Sequence, residues 1–352
     1  MKRIDLWKLL LVLPLTFTLS TPVFAEDAPA APEAKETAPA AQEAQDSSDD
    51  GEATEKEEKP KTIADLTEDT DRFDGLFTLF RDPKTGATKM LIAGDQINKE
   101  FIYFKHTMNG VVDAGAFTGS YGDQFIFTIE RRFDKVEFVR QNTAYYFDPD
   151  NAISRASDKN ISRAVLAVLP VAAEDEESGD ILIDADSLFL SETFANVVRG
   201  RGGDDDGRFR VGKMDSDKSQ ILALKNYPEN SAVEVEYVFN NPKPKNGGSD
   251  AVTDARNVSI TVLHTLIAVP ENDYQPRLAD ARLGSFNVQV TDLTSTDSAP
   301  YRDLLERWHL VKKDPSADIS DPVEPITWWI ENTTPVAVSY THLRAHETSN
   351  HL

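Results

Sequence analysis

From Phe73 to Pro270 the chain alternates apolar and polar residues in short runs separated by polar turns. The stretch FDGLFTLFRDPKTGATKMLIAGDQINKEFIYFKHT holds several such runs, with Asp82-Pro83-Lys84-Thr85-Gly86 as a turn between two of them. In QFIFTIERRFDKVEFVRQNTAYYFD, Phe125, Phe127 and Ile129 share one face, followed by Val136 and Phe138, then Tyr145 and Phe147. Period two over short segments is the signature of an antiparallel sheet with one buried face. Ile161–Leu169 reads as a helical stretch, and DILIDADSLFL and SQILALKNYPENSAVEVEYVFN return to strand. NVSITVLHTLIAVP is the longest apolar run and is expected at the centre of the sheet. The pattern predicts a mainly β fold with a few helices, an antiparallel sandwich or barrel-like domain over residues 72–320.

The N-terminal part has a different composition. Lys2 and Arg3 precede the apolar run Leu9–Leu19, and Val23-Phe24-Ala25 puts small residues at both cleavage-determining positions. Residues 1–25 therefore read as an export leader, with a run too short to span a bilayer. The expected location is periplasmic or extracellular, with no stable membrane insertion once the leader is removed. Residues 26–71 are rich in Ala, Pro and Glu and carry sixteen acids against four bases, about half of the net charge of −23. Such a segment has too little to bury to offset its ordering entropy, and it reads as a disordered tether. The same negative charge argues against a nucleic-acid partner. The chain has no cysteine, so neither disulfides nor a thiol nucleophile enter the argument.

Candidate chemistry is sparse. The chain contains no G-x-S-x-G elbow, no Walker loop and no G-x-G-x-x-G fingerprint. His106, His264 and His309 each stand alone in their segments. His264, on the face of Ile260 and Val262, reads as a hydrogen-bonded core or interface histidine rather than a ligand. GRGGDDDGRFR offers the carboxylates Asp204, Asp205 and Asp206, but not the alternating spacing of an EF-hand. A solvated loop is the favoured reading there, as it is for EDEESGD at 174–180.

Four stretches carry a resemblance: FDGLFTLFRDPKTGATKMLIAGDQINKEFIYF, KNYPENSAVEVEYVF (225–239), YQPRLADARLGSF (274–286) and ERWHLVKKDPSADISDPVEPITWWIENTTP (306–335). In this order they resemble the N-terminal half of a family of large secreted bacterial zinc-dependent metalloproteases, over about residues 72–338. In that family a β-rich domain precedes a matrixin-like catalytic domain. The resemblance implies that 321–338 begin a truncated α/β protease domain, with Ile326, Trp328 and Ile330 on one face of its first strand and Thr327 and Trp329 on the other. It implies a zinc-binding H-E-x-x-H helix downstream, where a glutamate takes the proton from zinc-bound water that attacks a peptide carbonyl. No such helix lies in this chain. The expectation is a non-catalytic region with no cofactor of its own, whose partner is its own protease domain. Zinc and a peptide or protein substrate belong to the parent enzyme. The alternative is a free-standing β-rich binding or scaffold module of the cell envelope.

His342 and His346 have the spacing of a zinc-binding pair, but Leu343 stands where the glutamate belongs, and His351 follows. SYTHLRAHET looks like translated sequencing-adapter read-through, and residues 339–352 are read as a non-native tail. Arg277, Asp280 and Arg282 form the remaining candidate site. They read either as a latch between the β domain and the protease domain or as a structural network of arginine–carboxylate bonds.

Overall fold

The computed structural model describes residues 61–198, 207–327, 330 and 332–341. The leader at 1–25, most of the tether, Asp204–Asp206, Trp328, Trp329 and the tail histidines lie outside the described residues.

The described chain is mainly β. Its strands are β1 (Asp71–Phe73), β2 (Thr78–Arg81), β3 (Thr88–Ile92), β4 (Glu100–Asn109) and β5 (Tyr121–Arg132), then β6 (Lys135–Arg140), β7 (Tyr145–Tyr146), β8 (Ala164–Pro170), β9 (Ala173–Glu174) and β10 (Ile181–Asp184). After these come β11 (Lys213–Tyr227), β12 (Asn230–Asn240), β13 (Asn257–Ala268), β14 (Asn287–Asp292) and β15 (Tyr301–Leu305). Two short helices are α1 (Ile63–Thr67) and α2 (Asp186–Phe189). The principal sheet has seven strands in the order β11-β12-β13-β4-β5-β6-β8, all antiparallel, and curls into a half-barrel. The long apolar run forms β13, an interior strand between β12 and β4.

Alternation puts Tyr103, Phe127, Phe138, Val235, Tyr237 and Val262 on the concave face, where all are fully buried. A second antiparallel sheet, β1-β2-β3-β10-β9, closes this face with Leu79, Met90, Ile92 and Ile183. Each such side chain taken from water contributes about 1.5–3 kcal/mol before entropy is counted. The turn between β2 and β3 is where the sequence places it. The Asp82 carboxylate accepts from the Lys84 and Thr85 backbone N–H groups, and Gly86 takes φ +78°, a left-handed conformation that glycine adopts without strain.

Two segments depart from expectation. Residues 61–71, assigned to the tether by composition, belong to the folded unit. Thr62 and Asp65 form a reciprocal capping box at the start of α1. Ile63 and Leu66 then pack on Phe80, Leu182 and Ala173, the outer face of the second sheet. Ile161–Leu169 is not helical. Its second half is β8, an edge strand paired with β6, and Ala167 and Leu169 turn into the core. The β-branched Val165 and Val168 suit the pleat, and pairing to β6 overrides the weak helical preference of the alanines.

Beyond β13 the chain changes character. β14 pairs antiparallel with β15 and parallel with β7, giving a small three-stranded sheet. Pro325–Thr327 and Ile330 lie in no strand, and 336–341 are helical. No described strand neighbours the segment on which the first strand of a protease domain was expected, and an unpaired strand leaves its backbone groups without partners.

Candidate functional site

The most concentrated polar chemistry lies inside the half-barrel. β4, β12 and β13 aim Tyr103, Tyr237 and His264 at one another from the concave face. His264 Nδ1 lies 2.8 Å from the Tyr103 hydroxyl, and Nε2 lies 2.7 Å from the Tyr237 hydroxyl. The Tyr237 hydroxyl also donates to the Phe189 carbonyl at 2.5 Å. A phenol has one proton to give, so Tyr237 accepts from Nε2–H, and Nδ1 accepts from Tyr103. The proton order is thus fixed from Tyr103 through the imidazole to the carbonyl at the end of α2. Burial pushes His264 down to about 3, assisted by the nearby Lys105 charge, so the ring is neutral. Burial also pushes both phenols up.

Lys105, directly opposite His264 in the β13–β4 register, is itself buried. Its ammonium donates to the Asn196 carbonyl and lies 3.5 Å from the Asp123 carboxylate. Phe194 stacks on Tyr103 at 4.9 Å between centroids. These contacts fasten residues 189–196 to the concave face. The imidazole and both phenols are occupied by one another and by backbone, so none is left to meet a substrate. The cluster acts as a clamp, and His264 is the hydrogen-bonded core histidine that its position in the sequence suggests.

The sequence-predicted trio lies elsewhere and is only partly assembled. Arg282 holds Asp280 through Nε at 2.9 and 3.1 Å and through Nη2 at 2.5 Å, and its own backbone N–H also donates to Asp280 at 2.9 Å. These bonds hold the Asp280 carboxyl below the usual carboxylate range. Arg277 does not join the pair. Its side chain is exposed, and its carbonyl accepts from the Leu305 N–H at 2.8 Å along the edge of β15.

A neighbouring group was not legible from spacing. His309 Nε2 lies 3.0 Å from Asp273, its ring meets the edge of Tyr274, and the Arg307 guanidinium sits 4.5 Å over Tyr274. Arg307 also donates to the Gln275 carbonyl at 2.7 Å. The β14–β15 hairpin brings residues more than thirty positions apart into this group.

Around these groups the segment from 278 to 323 leaves large apolar side chains in solvent, among them Leu278, Phe286 (86 % exposed), Trp308, Ile319 (92 %) and Val323. Among the described residues no group of three or more His, Cys, Asp or Glu side chains could hold a metal ion. Nor is any described helix long and apolar enough to cross a membrane.

A sequence profile for a domain of unknown function, DUF5117, matches residues 119–313. The match runs from just before β5 to just beyond β15, taking in Tyr237, His264, Asp280 and Arg282 and leaving Tyr103 outside. No curated protein and no solved structure matches the chain.

Proposed function

The chain belongs to the DUF5117 family, and from that premise we propose that it is the exported, non-catalytic β-rich region of a zinc-dependent metallopeptidase. The observation that carries this reading is the run of exposed apolar residues from Leu278 to Val323. We read these exposed side chains as a surface that another body covers. The segment is also the one whose motifs resemble the approach to a protease domain, so that domain is the partner we assign. In this reading Asp280 and Arg282 present a rigid charged pair beside the apolar surface, as a latch between the two domains would. The leader-like N-terminus supports export to the periplasm or beyond.

No described set of residues fits a zinc ion, so no hydrolytic step is assigned to this chain. Zinc, the water it activates and the peptide or protein substrate belong to the protease domain. The test is to read the genomic frame past codon 338. A continuing frame that encodes H-E-x-x-H supports the proposal. A stop codon there overturns it in favour of a free-standing envelope module.

A further inference from the structure

The dipeptide Asn-Gly occurs twice in the chain, at Asn109-Gly110 and Asn246-Gly247, and the fold treats the two differently. Because glycine has no Cβ, the nitrogen of its peptide is the least hindered nucleophile that a backbone can present to the preceding side-chain amide.

Asn109 closes β4 opposite Thr261 of β13. The ladder holds its backbone extended and directs the side chain out of the sheet, away from the next peptide. Gly110 is packed so closely that a Cβ on it would stand 2.8 Å from the Ala116 carbonyl oxygen.

Asn246 lies in the loop between β12 and β13, exposed together with Gly247 and Gly248. The Gly247 N–H has no partner among the described residues, and the space beside Gly247 is open. The Gly248 N–H donates to Asn246 Oδ1 at 2.8 Å, which folds the side-chain amide back over the Gly247 peptide. The same donor is aimed at the oxygen on which negative charge develops when Cγ is attacked. On the other side, Asn246 Nδ2 donates to the Gly207 carbonyl at 2.9 Å and so ties this loop to the segment that enters β11. Three residues on, Ser249 holds Asp113 of the β4–β5 connection through its backbone N–H and its Oγ, both at 2.8 Å.

We propose that Asn246 is a site of spontaneous deamidation, with water as the only co-reactant, and that the change unties the loop from Gly207. A base in solvent takes the Gly247 N–H proton, and the nitrogen forms a bond to Asn246 Cγ. The charge passes to Oδ1 beside the Gly248 N–H. The bond from Cγ to Nδ2 then breaks, and the nitrogen leaves as ammonia, with its added proton drawn from water. Water opens the resulting succinimide at either carbonyl, giving aspartate or isoaspartate. Either product sets a carboxylate oxygen where an NH₂ group had donated, so two acceptors face each other at Gly207. The assignment goes beyond the reading given above and stands whether or not a protease domain follows.

The test ages the purified chain in mildly alkaline buffer and follows both asparagines by peptide mass spectrometry, with aspartate and isoaspartate separated by retention time. In the folded chain Asn246 is expected to convert at least about tenfold faster than Asn109, whereas in denaturant the two convert at similar rates. Gly247→Ala, for which the loop has room, slows conversion at Asn246 by about tenfold or more. Trypsin cleavage after Arg208 reads the second half of the proposal. It is expected to be severalfold faster in the aged chain and in Asn246→Asp than in the fresh parent, because the segment opens more often once the tie is lost. Equal conversion of the two asparagines in the folded chain, or an Asn246 that stays an amide while the denatured chain converts, overturns the proposal. So does equal trypsin cleavage of Asn246→Asp and the fresh parent.

Discussion

Residues 73–268 and residues 269–341 draw on the same kinds of apolar and aromatic side chain and place them oppositely. In the first region Phe101, Tyr103, Phe127 and Phe138 vanish between two sheets, while in the second Leu278, Phe286, Trp308 and Ile319 face water. The difference lies in layers. The half-barrel has a second sheet to close it, with helix α1 behind that. The small sheet of β7, β14 and β15 has no described layer over its apolar side chains, and one sheet cannot bury its own face. The histidines repeat the contrast. His264 has both ring nitrogens bonded in the dry interior, whereas His309 meets an exposed aspartate at the surface. Hydrophobicity along a chain states what has to be covered, not what covers it.

The largest test of this contrast is truncation of a matched aromatic in each region. Phe127→Ala is expected to cost about 3–5 kcal/mol in denaturant unfolding, because it removes a fully buried ring and leaves a cavity. Phe286→Ala is expected to stay within about 0.5 kcal/mol of the parent. Equal losses would mean that the second region is packed in solution, and the contrast would fail.

Next in size is the pH response of the clamp. Unfolded, His264 takes a proton near its ordinary value of 6.5, whereas in the fold it resists protonation to about 3. Stability is therefore full above about pH 6.5 and falls as the pH drops towards 3, by at most about 1.4 kcal/mol per unit. Chemical denaturation across this window measures the slope. Replacing the imidazole by an amide that does not titrate, His264→Gln, flattens it, and an unchanged slope would remove His264 from the account.

The smallest effect is expected at Asp280. Its carboxylate is held only by Arg282 at the surface, where ion pairs contribute little. Asp280→Ala should leave the melting temperature of the chain where it was. In the proposed reading, loss of proteolytic activity on the same change in a longer protein that carries the protease domain would sharpen the latch.

The β architecture was legible because period two is a strong signal. Phe125, Phe127 and Ile129 alternate, and all three are buried. The turn at 82–86 was legible from Asp, Pro and Gly. The helix misread at 161–169 arose from a short apolar run in which alanines mask two β-branched positions, and only the partner strand β6 decides its conformation. Helix α1 was hidden by averaging, since the capping pair Thr62 and Asp65 and the spacing of Ile63 and Leu66 were present inside an acidic stretch. The Asp280–Arg282 contact was legible because it spans two residues. The clamp was not, because Tyr103, Lys105, Tyr237 and His264 come from strands far apart in sequence, and only β4–β13–β12 pairing makes them neighbours.

The most direct measurement is peptide hydrolysis by the purified chain in the presence of zinc, with and without a chelator. In the proposed reading hydrolysis belongs to a separate protease domain, so no chelator-sensitive cleavage above a heat-inactivated control is predicted. Chelator-sensitive cleavage that persists once residues 339–352 have been deleted would contradict the account.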